Sequence, residues 1–307
     1  MDSSGNVFVT GGSSSGSGID FVVDYATVAY SSAGELLWSN FSNRQVDFNS
    51  PAAIAVDSSG NVFVTGQAGR NFFDGKSGDY ATIAYSSTGV PLWTNRYNGP
   101  EKGYDSAAAI AVDSSGNVFV TGFSEAANGY GDYATIKYSN AGVPLWTNRY
   151  NGPGVGSAAR AIAVDSSGNV IVTGSSEAAN GRHDYATVAY SNSGVPLWTN
   201  RYNGLGNDSD NAIAIAVDGS GNVVVTGHSY NETNDDYVTI KYSSSVPPPR
   251  LDFQLLSNEL VLSWTNAGFT LQSAPAITGT FTNLPGATSP YTNALTGPQL
   301  FFRLRGN

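Results

Sequence analysis

The sequence predicts an all-β fold, and three observations carry that prediction. A unit of about 50 residues recurs five times, each turn aspartate following the last by 52 to 56 residues. Every complete unit has four short runs with period-two alternation, and no stretch shows the 3.6-residue period of an amphipathic helix. Four antiparallel strands per repeat are typical of a β-propeller blade. We therefore predict a β-propeller of about five four-stranded blades, incomplete or irregularly closed.

The first two strands of each unit form a predicted hairpin around an Asp-x-x-Gly turn. In the third complete unit, Asp165 can accept hydrogen bonds from backbone N–H groups two residues on, and Gly168 can take a positive φ without steric cost. A calcium loop is the weaker alternative, because the turn lacks regularly spaced oxygen ligands and a closing Glu. The predicted strands of this unit are Ala161 to Asp165, Asn169 to Gly174, Asp184 to Tyr190 and Pro196 to Tyr202. The turn aspartates are Asp2, Asp57, Asp113, Asp165 and Asp218.

Two further motifs recur, and we interpret both as structural because one active site does not need a copy in every unit. The Asp of an Asp-Tyr motif opens the third strand and is expected to cap the preceding loop. The Trp of a Leu-Trp motif is expected to dock between blades, and the Arg three residues later to pair with a repeat Asp or with strand carbonyls. These residues are Asp24, Asp79, Asp132, Asp184 and Asp236; Trp38, Trp93, Trp146 and Trp198; and Arg96, Arg149 and Arg201.

The third strands favour stacked blades over the rival β-solenoid. In Asp132 to Tyr138 both alternating sets carry large or apolar side chains, as expected when neighbouring blades cover both faces. Solenoid coils are usually shorter and lack a four-strand meander. The first unit supplies three predicted strands, the three complete units supply twelve, and the fifth unit supplies three. The total of eighteen is not a multiple of four. An open ring would leave strand edges free to pair with another chain.

The units V-D-S-S-G-N-V-F-V-T-G, D-Y-A-T-I-K-Y and G-V-P-L-W-T-N-R-Y resemble the bacterial β-propeller repeat family of the seven-bladed (SBBP) type, over residues 1–245. The resemblance implies a secreted or cell-surface bacterial protein, in a family mostly without assigned activity. This chain departs from the family in having five units rather than seven. Its first unit lacks the leading strand, and its fifth has no Leu-Trp segment after Tyr242.

A Pro-rich stretch at 246–250 is a predicted stiff linker between the repeats (1–245) and a small β-sandwich-like module (251–307). The module's Leu-Ser-Trp, Leu-Gln-Ser and closing Phe-Phe-Arg-Leu-Arg are similar to C-terminal modules that end secreted bacterial repeat proteins. That resemblance implies attachment, sorting or capping, and a plain stability cap for the last blade is the alternative. Its predicted strand runs are Leu260 to Trp264, Phe269 to Gln272, Thr280 to Leu284 and Leu300 to Leu304.

Composition narrows the classes of partner. Charged residues make up only 12% of the 307 residues, and the net charge of −10 argues against nucleic acid and anionic membrane surfaces. No apolar run approaches the roughly 20 residues that span a bilayer. The lack of cysteine excludes disulfides and thiolate metal sites. Met1 stands where other repeats have Val before the turn Asp, so the chain is expected to start inside a repeat, and the missing export signal is uninformative.

Two kinds of connection vary between units, the one from the second to the third strand and the one to the next blade. Both leave the same end of a four-strand meander, so we predict that they lie on one rim. Variable loops on a rigid scaffold are a common binding surface, and aromatics with carboxylates suit a glycan or a peptide. Solvated loops without a ligand are the alternative. The predicted blade-to-blade connections are 43–50, 98–106, 151–157 and 203–211. The candidate ligand-binding residues are Phe72, Phe73, Asp74, Tyr104, Asp105, Glu125, Tyr130, Glu177, Tyr230 and Glu232, and Asp208 and Asp210 are weak candidates for Ca²⁺.

No motif supports catalysis. The two histidines, His183 and His228, are expected in loops without a partner motif, and no nucleophile elbow, zinc motif or phosphate loop occurs. A carboxylate pair for glycoside hydrolysis could be assembled on the rim, but nothing singles one out. The Gly-x-x-Leu-Trp piece is similar to the docking repeats of pyrroloquinoline-quinone dehydrogenases, whose quinone-contacting disulfide cannot form without cysteine.

The leading interpretation is therefore a non-enzymatic, secreted or cell-surface scaffold or binding module that needs no cofactor and binds a glycan or protein ligand on the variable rim. One alternative is a carbohydrate-active or other propeller enzyme with its site on that rim. Another is a structural surface protein that assembles with other chains through open blade edges.

Overall fold

The computed structural model describes residues 1–15, 22–42, 48–70, 78–243, 251–264 and 269–306. Every regular element in these ranges is a β-strand, which confirms the predicted all-β class. The chain forms two compact units, Met1–Tyr242 and Ser243–Asn307. The predicted linker, 246–250, lies outside the described ranges. Within the described part of the chain, no helix has the length and apolar character needed to cross a membrane.

The first unit is a β-propeller-type array of five antiparallel blades with eighteen described strands, the number expected from the sequence. Blade 1 is β1 (Val7–Ser15), β2 (Val22–Tyr30) and β3 (Leu36–Ser42). Blade 2 is β4 (Phe48–Val56), β5 (Val62–Arg70), β6 (Asp79–Tyr85) and β7 (Pro91–Tyr97). Blade 3 is β8 (Asp105–Val112), β9 (Val118–Glu125), β10 (Gly131–Tyr138) and β11 (Pro144–Tyr150). Blade 4 is β12 (Ser157–Val164), β13 (Val170–Glu177), β14 (His183–Tyr190) and β15 (Pro196–Tyr202), and blade 5 is β16 (Asp210–Val217), β17 (Val223–Tyr230) and β18 (Asp235–Tyr242).

Each described blade is a meander in which sequence neighbours pair antiparallel. Blades 1 and 2 are also joined by one parallel pair, Val23 with Phe48. The first strands β4, β8, β12 and β16 lie successively against one another, so they line the centre of the array. The later strands of each blade lie farther out, which places the Leu-Trp strands at the periphery.

The hydrophobic cores lie between blades rather than within them. On β6, Tyr80 and Ala84 pack against blade 3, whereas Ile83 and Tyr85 pack against blade 1. The Tyr80 hydroxyl donates to the Ala134 carbonyl of blade 3 at 3.2 Å. Because both faces of a blade are apolar, a blade is stable only when neighbours cover it.

The repeated tryptophans bridge successive blades. The indole N–H groups of Trp38, Trp93 and Trp146 donate to carbonyls of the next blade at 3.0, 3.0 and 3.1 Å. The Trp146 ring also lies 6.1 Å from the Phe119 ring of its own blade and 6.0 Å from the Tyr190 ring of blade 4. Each indole therefore combines packing with one directional hydrogen bond across the interface.

Blades 1 and 5 end the array, and each has one face that no neighbouring blade covers. In blade 5 this is the face that the other blades turn towards the following blade, and in blade 1 it is the face that they turn towards the preceding blade. On the face of blade 5 turned away from blade 4, Tyr237 is 96% exposed and Ile213 is 56% exposed. On the face of blade 1 turned away from blade 2, Val7 is 38% and Val9 51% exposed. The tyrosines at the same repeat position as Tyr237 are at most 1% exposed, and they are Tyr25, Tyr80, Tyr133 and Tyr185.

Two strands of blade 4 are longer than the sequence predicts. β12 begins at Ser157 rather than at Ala161, and β13 continues to Glu177 rather than ending at Gly174. Ser157 and Ala158 pair with Ser176 and Ser175. These small and polar residues have weak strand propensity, so only the cross-strand pairing brings them into the sheet.

The second unit consists of two three-stranded antiparallel sheets. Its described core contains Leu262, Trp264 and Leu271. The predicted runs missed β19, which is exposed along its length and carries no burial alternation, and they missed the four-residue β23. The first sheet is β19 (Asp252–Leu256), β20 (Glu259–Ser263) and β23 (Tyr291–Ala294), and the second is β22 (Thr282–Asn283), β21 (Phe269–Ala274) and β24 (Phe301–Gly306).

Candidate functional site

In blades 3 and 4, whose variable connections of both kinds are described, these connections meet on one rim of the first unit. The connection between β9 and β10 reaches the following blade-to-blade connection through Asn128, whose amide donates to the Val155 carbonyl at 3.2 Å. One blade further on, Arg182 forms an ion pair with Asp208 at 3.1 Å. These contacts gather the length-varying segments of blades 3 and 4 into one continuous surface, which we call the loop rim.

The opposite rim is built from uniform turns. Asp165 Oδ1 accepts from the backbone N–H groups of Ser167 and Asn169 at 2.9 and 2.8 Å, and its Oδ2 accepts from the Asn169 amide at 2.8 Å. Gly168 has φ 77°, a backbone conformation that residues other than glycine rarely adopt. Hydrogen bonds from Asn222 lower the pKa of Asp218 in the corresponding turn of blade 5 to about 2. The turn carboxylates are therefore engaged in holding their own hairpins.

Two of the candidate binding residues, Tyr130 and Glu177, approach the same point on the loop rim. A Cβ placed on Gly156 would lie 3.6 Å from Glu177 Oε2 and 3.8 Å from the Tyr130 ring. Tyr130 is 53% exposed, and Glu177 is half-buried. The Glu177 backbone pairs with Gly154 and Gly156 at 2.9 and 2.7 Å, which fixes the floor of the cluster. An exposed aromatic ring thus stands beside a carboxylate over a glycine.

Glu125 and Tyr104 also lie together, but their polar groups hold the loop. Glu125 Oε2 accepts from the Tyr104 backbone N–H at 2.8 Å, and the Glu125 N–H donates to the Tyr104 carbonyl at 3.0 Å. The Tyr104 ring packs 5.8 Å from the Phe123 ring. This pair acts as a clasp between β9 and the connection that precedes β8.

Asp105 and Asp210 are not loop residues, contrary to the sequence prediction. Each is the first residue of a first strand and has no exposed surface. Asp105 Oδ2 accepts from the Gly99 N–H at 2.7 Å, and Asp210 Oδ2 accepts from the Gly204 N–H at 2.7 Å. Burial raises the pKa of Asp105, and the Ser124 hydroxyl, the Gly99 N–H and Arg149 oppose that rise. The sequence missed this because the strand begins in a polar, turn-like run.

The Ca²⁺ candidates have separate partners. Asp208 pairs with Arg182, while Asp210 holds the Gly204 N–H. Among the described residues, no group of three or more His, Asp or Glu side chains could hold a metal ion.

The remaining candidates are dispersed. Tyr230 ends β17, and its hydroxyl donates to the carbonyl of Glu232, a residue in the left-handed region with φ 77°. The histidines lie in strands rather than in loops: His183 begins β14, and His228 in β17 has its Nε2 3.2 Å from the Asn211 amide. Phe72, Phe73 and Asp74 lie outside the described residues.

The repeated arginines differ strongly between blades. Arg149 donates to Asp132 at 3.0 Å, to the Tyr97 hydroxyl of blade 2 at 3.1 Å, and to the carbonyls of Ser124 and Glu125, both at 3.0 Å. Arg201 makes corresponding contacts with the Asp184 carboxylate, the Tyr150 hydroxyl and the Ser176 carbonyl. Arg96 approaches Asp79 only to 3.9 Å, and its side chain is 45% exposed against 22% for Arg149. The blade 2 arginine is therefore much less enclosed than its counterparts.

A cavity of about 310 Å³ lies at the interface of blades 1 and 2, beside this arginine. Its wall includes Tyr25, Asn49, Ala68, Ile83 and Arg96. A second hollow, of about 470 Å³, lies on the uncovered face of blade 5 and is lined by Ile213, Thr226, His228 and Tyr237. Sequence reasoning found neither, because each depends on what faces a repeat residue in the adjacent blade.

Comparison with solved structures finds similar β-propellers. The chain is similar to the β-propeller domain of the Trilobed protease from Pyrococcus furiosus, described as having an open velcro topology, with 4% identity and a TM-score of 0.47 over 87% of this chain and 78% of that one. It is also similar to a gluconolactonase from Xanthomonas campestris, with 14% identity and a TM-score of 0.38 over 67% of this chain and 65% of that one. No protein-family model matches the sequence. No curated protein matches it either.

Proposed function

We propose that the protein is a non-enzymatic β-propeller scaffold that assembles by docking the uncovered face of blade 5 on the uncovered face of blade 1 of a second copy. The observation that carries this proposal is the 96% exposure of Tyr237, a residue whose four counterparts are at most 1% exposed. The repeat resemblance to the seven-bladed (SBBP) type supports a secreted or cell-surface location.

The two faces are complementary because the chain already contains four joints between faces of the same kind, two of them between complete four-stranded blades. At the joint between blades 2 and 3, Phe63 and Tyr80 of one blade cover Val118 and Val120 of the next, and all four are buried. Blade 1 presents Val7 and Val9 at the positions of Val118 and Val120, and blade 5 presents Tyr237 at the position of Tyr80. Contact between two different faces is heterologous, so it leads to closed rings or to open chains of molecules.

Light scattering of the full chain tests this assembly. The wild-type mass should exceed that of one chain and rise with concentration, and Tyr237→Glu should restore the mass of one chain. Tyr130→Glu is the matched control, since it adds the same charge at an exposed tyrosine on the loop rim, and it should assemble like the wild type. A wild-type protein that stays monomeric at high micromolar concentration would exclude the proposal.

The loop rim supports a second proposal, a glycan site between blades 3 and 4. Its basis is the exposed Tyr130 ring beside the Glu177 carboxylate over Gly156, since a flat apolar surface next to an acceptor suits a sugar ring with its hydroxyl groups. A glycan array should give hits that Tyr130→Ala abolishes and Tyr237→Ala retains. Identical hits for wild type and Tyr130→Ala would remove this site.

The enzymatic alternative would require a carboxylate pair acting on a substrate at the same rim. A hydrolase screen on the same set of glycans tests it. Turnover that disappears in Glu177→Gln would replace the scaffold proposal with a catalytic one.

A further inference from the structure

At three of the four joints between blades, a tyrosine hydroxyl of one blade lies over a glycine of the next blade. A Cβ placed on the glycine would lie too close to the hydroxyl oxygen for any side chain to fit there. The glycine therefore leaves the room that the tyrosine of the preceding blade occupies. The distances from such a Cβ to the hydroxyl oxygen are 2.7 Å for Gly66 and Tyr25, 2.9 Å for Gly174 and Tyr133, and 2.7 Å for Gly227 and Tyr185.

The tyrosine hydroxyl also donates to a backbone carbonyl beside the glycine. In blade 4, the Ala186 carbonyl accepts from the Thr173 hydroxyl at 3.4 Å and from the Tyr133 hydroxyl of blade 3 at 3.1 Å. We call this glycine and this carbonyl, Gly174 and Ala186 in blade 4, the tyrosine seat of a blade. Two further bonds of this kind run from Tyr80 to the Ala134 carbonyl at 3.2 Å and from Tyr185 to the Val238 carbonyl at 3.3 Å.

Blade 1 has a tyrosine seat that holds no tyrosine of the described part of the chain. Gly11 stands at the repeat position of Gly174, and a Cβ placed on it would meet no atom within 4 Å. The Ala26 carbonyl stands at the position of the Ala186 carbonyl and accepts from the Thr10 hydroxyl at 3.2 Å. Gly11 and Ala26 are half-buried, whereas the same positions in blade 4 are buried. The seat of blade 1 is thus open on the uncovered face.

Blade 5 has the matching tyrosine without a seat. Tyr237 stands at the repeat position of Tyr133 and is 96% exposed. The Tyr133 ring packs 5.3 Å from the Tyr150 ring of its own blade, and no described ring packs in this way against Tyr237. The chain therefore carries one unoccupied seat and one unseated tyrosine, on the two faces that no neighbouring blade covers.

We propose that the Tyr237 hydroxyl of one copy lies over Gly11 of a second copy and donates to its Ala26 carbonyl. This inference rests on the proposed assembly of blade 5 on blade 1, and it names the contact that determines which surface blade 5 accepts. A surface with a side chain at the position of Gly11 would exclude the hydroxyl, and a surface without the carbonyl would bury it unpaired. Apolar area alone provides no such discrimination, because the hydrophobic effect is non-directional.

Light scattering of Gly11→Val, at a concentration at which the wild type assembles, tests the seat. The added side chain has open space within its own chain, so the melting temperature should not fall, and the mass should be that of one chain. Gly219→Val is the matched control. Gly219 also has no neighbour within 4 Å of an added Cβ, but it lies in a turn of the opposite rim, so this variant should assemble like the wild type.

Mixing two variants tests the direction of the contact. Gly11→Val keeps the blade 5 face, and Tyr237→Glu keeps the blade 1 seat. A 1:1 mixture should therefore reach the mass of two chains and no more, although each variant alone has the mass of one chain. The mixed dimer would also show that both variants are folded.

Tyr237→Phe isolates the hydrogen bond, because it removes only the hydroxyl. The Kd of assembly should rise about threefold to tenfold. An unchanged Kd would overturn the inference even if Gly11→Val failed to fold.

The outcomes separate this inference from the assembly on which it rests. A wild-type protein that stays monomeric would exclude the assembly itself. Assembly of the wild type and of Gly11→Val to the same mass would overturn the seat and leave the docking of blade 5 on blade 1 standing. Two monomeric variants that melt like the wild type and form no mixed dimer would overturn the seat as well.

Discussion

The arginines at the blade interfaces offer a direct test of how the array is stabilised. Arg149 bonds a carboxylate, a hydroxyl of the preceding blade and two carbonyls at once. Only a planar guanidinium has donors in a geometry that reaches all of these acceptors. Arg149→Lys keeps the positive charge but leaves several acceptors at the interface without donors.

The expected loss in the free energy of unfolding depends on how far the Arg149 side chain is buried. Removing one partner of a buried ion pair costs about 3–5 kcal/mol. The Arg149 side chain is 22% exposed and the lysine retains its charge, so we expect a loss of about 2 kcal/mol in the free energy of unfolding. In a unit of this size that corresponds to a fall of ~4–8 °C in Tm.

Calorimetric melting of Arg149→Lys beside Arg96→Lys measures the effect. Arg96 lies 3.9 Å from Asp79 with a 45% exposed side chain, so its replacement should cost less than ~0.5 kcal/mol. Equal melting temperatures for the two variants would refute the view that enclosure by Tyr97, Ser124 and Glu125 makes Arg149 structural.

Three further predictions concern an indole, a turn and a buried acid. Trp146→Ala should lower the free energy of unfolding by about 3 kcal/mol in chemical denaturation, and Trp146→Phe, which keeps one aromatic ring but loses part of the indole packing and the bond to the Asn192 carbonyl, by about 1–2 kcal/mol. Asp165→Ala removes the acceptor of three hydrogen bonds and should cost about 1–2 kcal/mol in the same assay, whereas an unchanged midpoint would show that the turn holds without them. Burial raises the pKa of Asp105 above 3.8, so the native state binds this proton more tightly than the unfolded state, and stability falls as the pH rises above about 4. Asp105→Asn should therefore raise Tm at neutral pH, and the gain should shrink towards pH ~4 in a pH series of melts.

Much of the fold could be predicted from the sequence because each local signal agrees with its neighbours. The Asp-x-x-Gly sequence at Asp165 favours one hydrogen-bonded turn. The alternation of residues after that turn determines which side chains face each neighbouring blade. The same reasoning placed the variable connections of blades 3 and 4 on one rim.

The candidate site was harder to predict, because the roles of its residues depend on what lies across an interface. Asp105 and Glu125 are typical loop acids by sequence, yet one is fully buried and the other clasps a backbone N–H. The exposure of Tyr237 follows from what covers its face, which its own motif cannot reveal.

The equivalence of the joints on either side of blade 3 bears on how such a chain can change its length over generations. Phe63 and Tyr80 face blade 3 much as Phe119 and Tyr133 face blade 4. Recombination that excised the whole of blade 3 would bring blade 2 against blade 4 through a junction of a kind already present. Blade number is thus a variable that gene duplication and deletion can adjust in whole steps, while the first junction, with its parallel pair of Val23 and Phe48, stays distinct from the copies downstream.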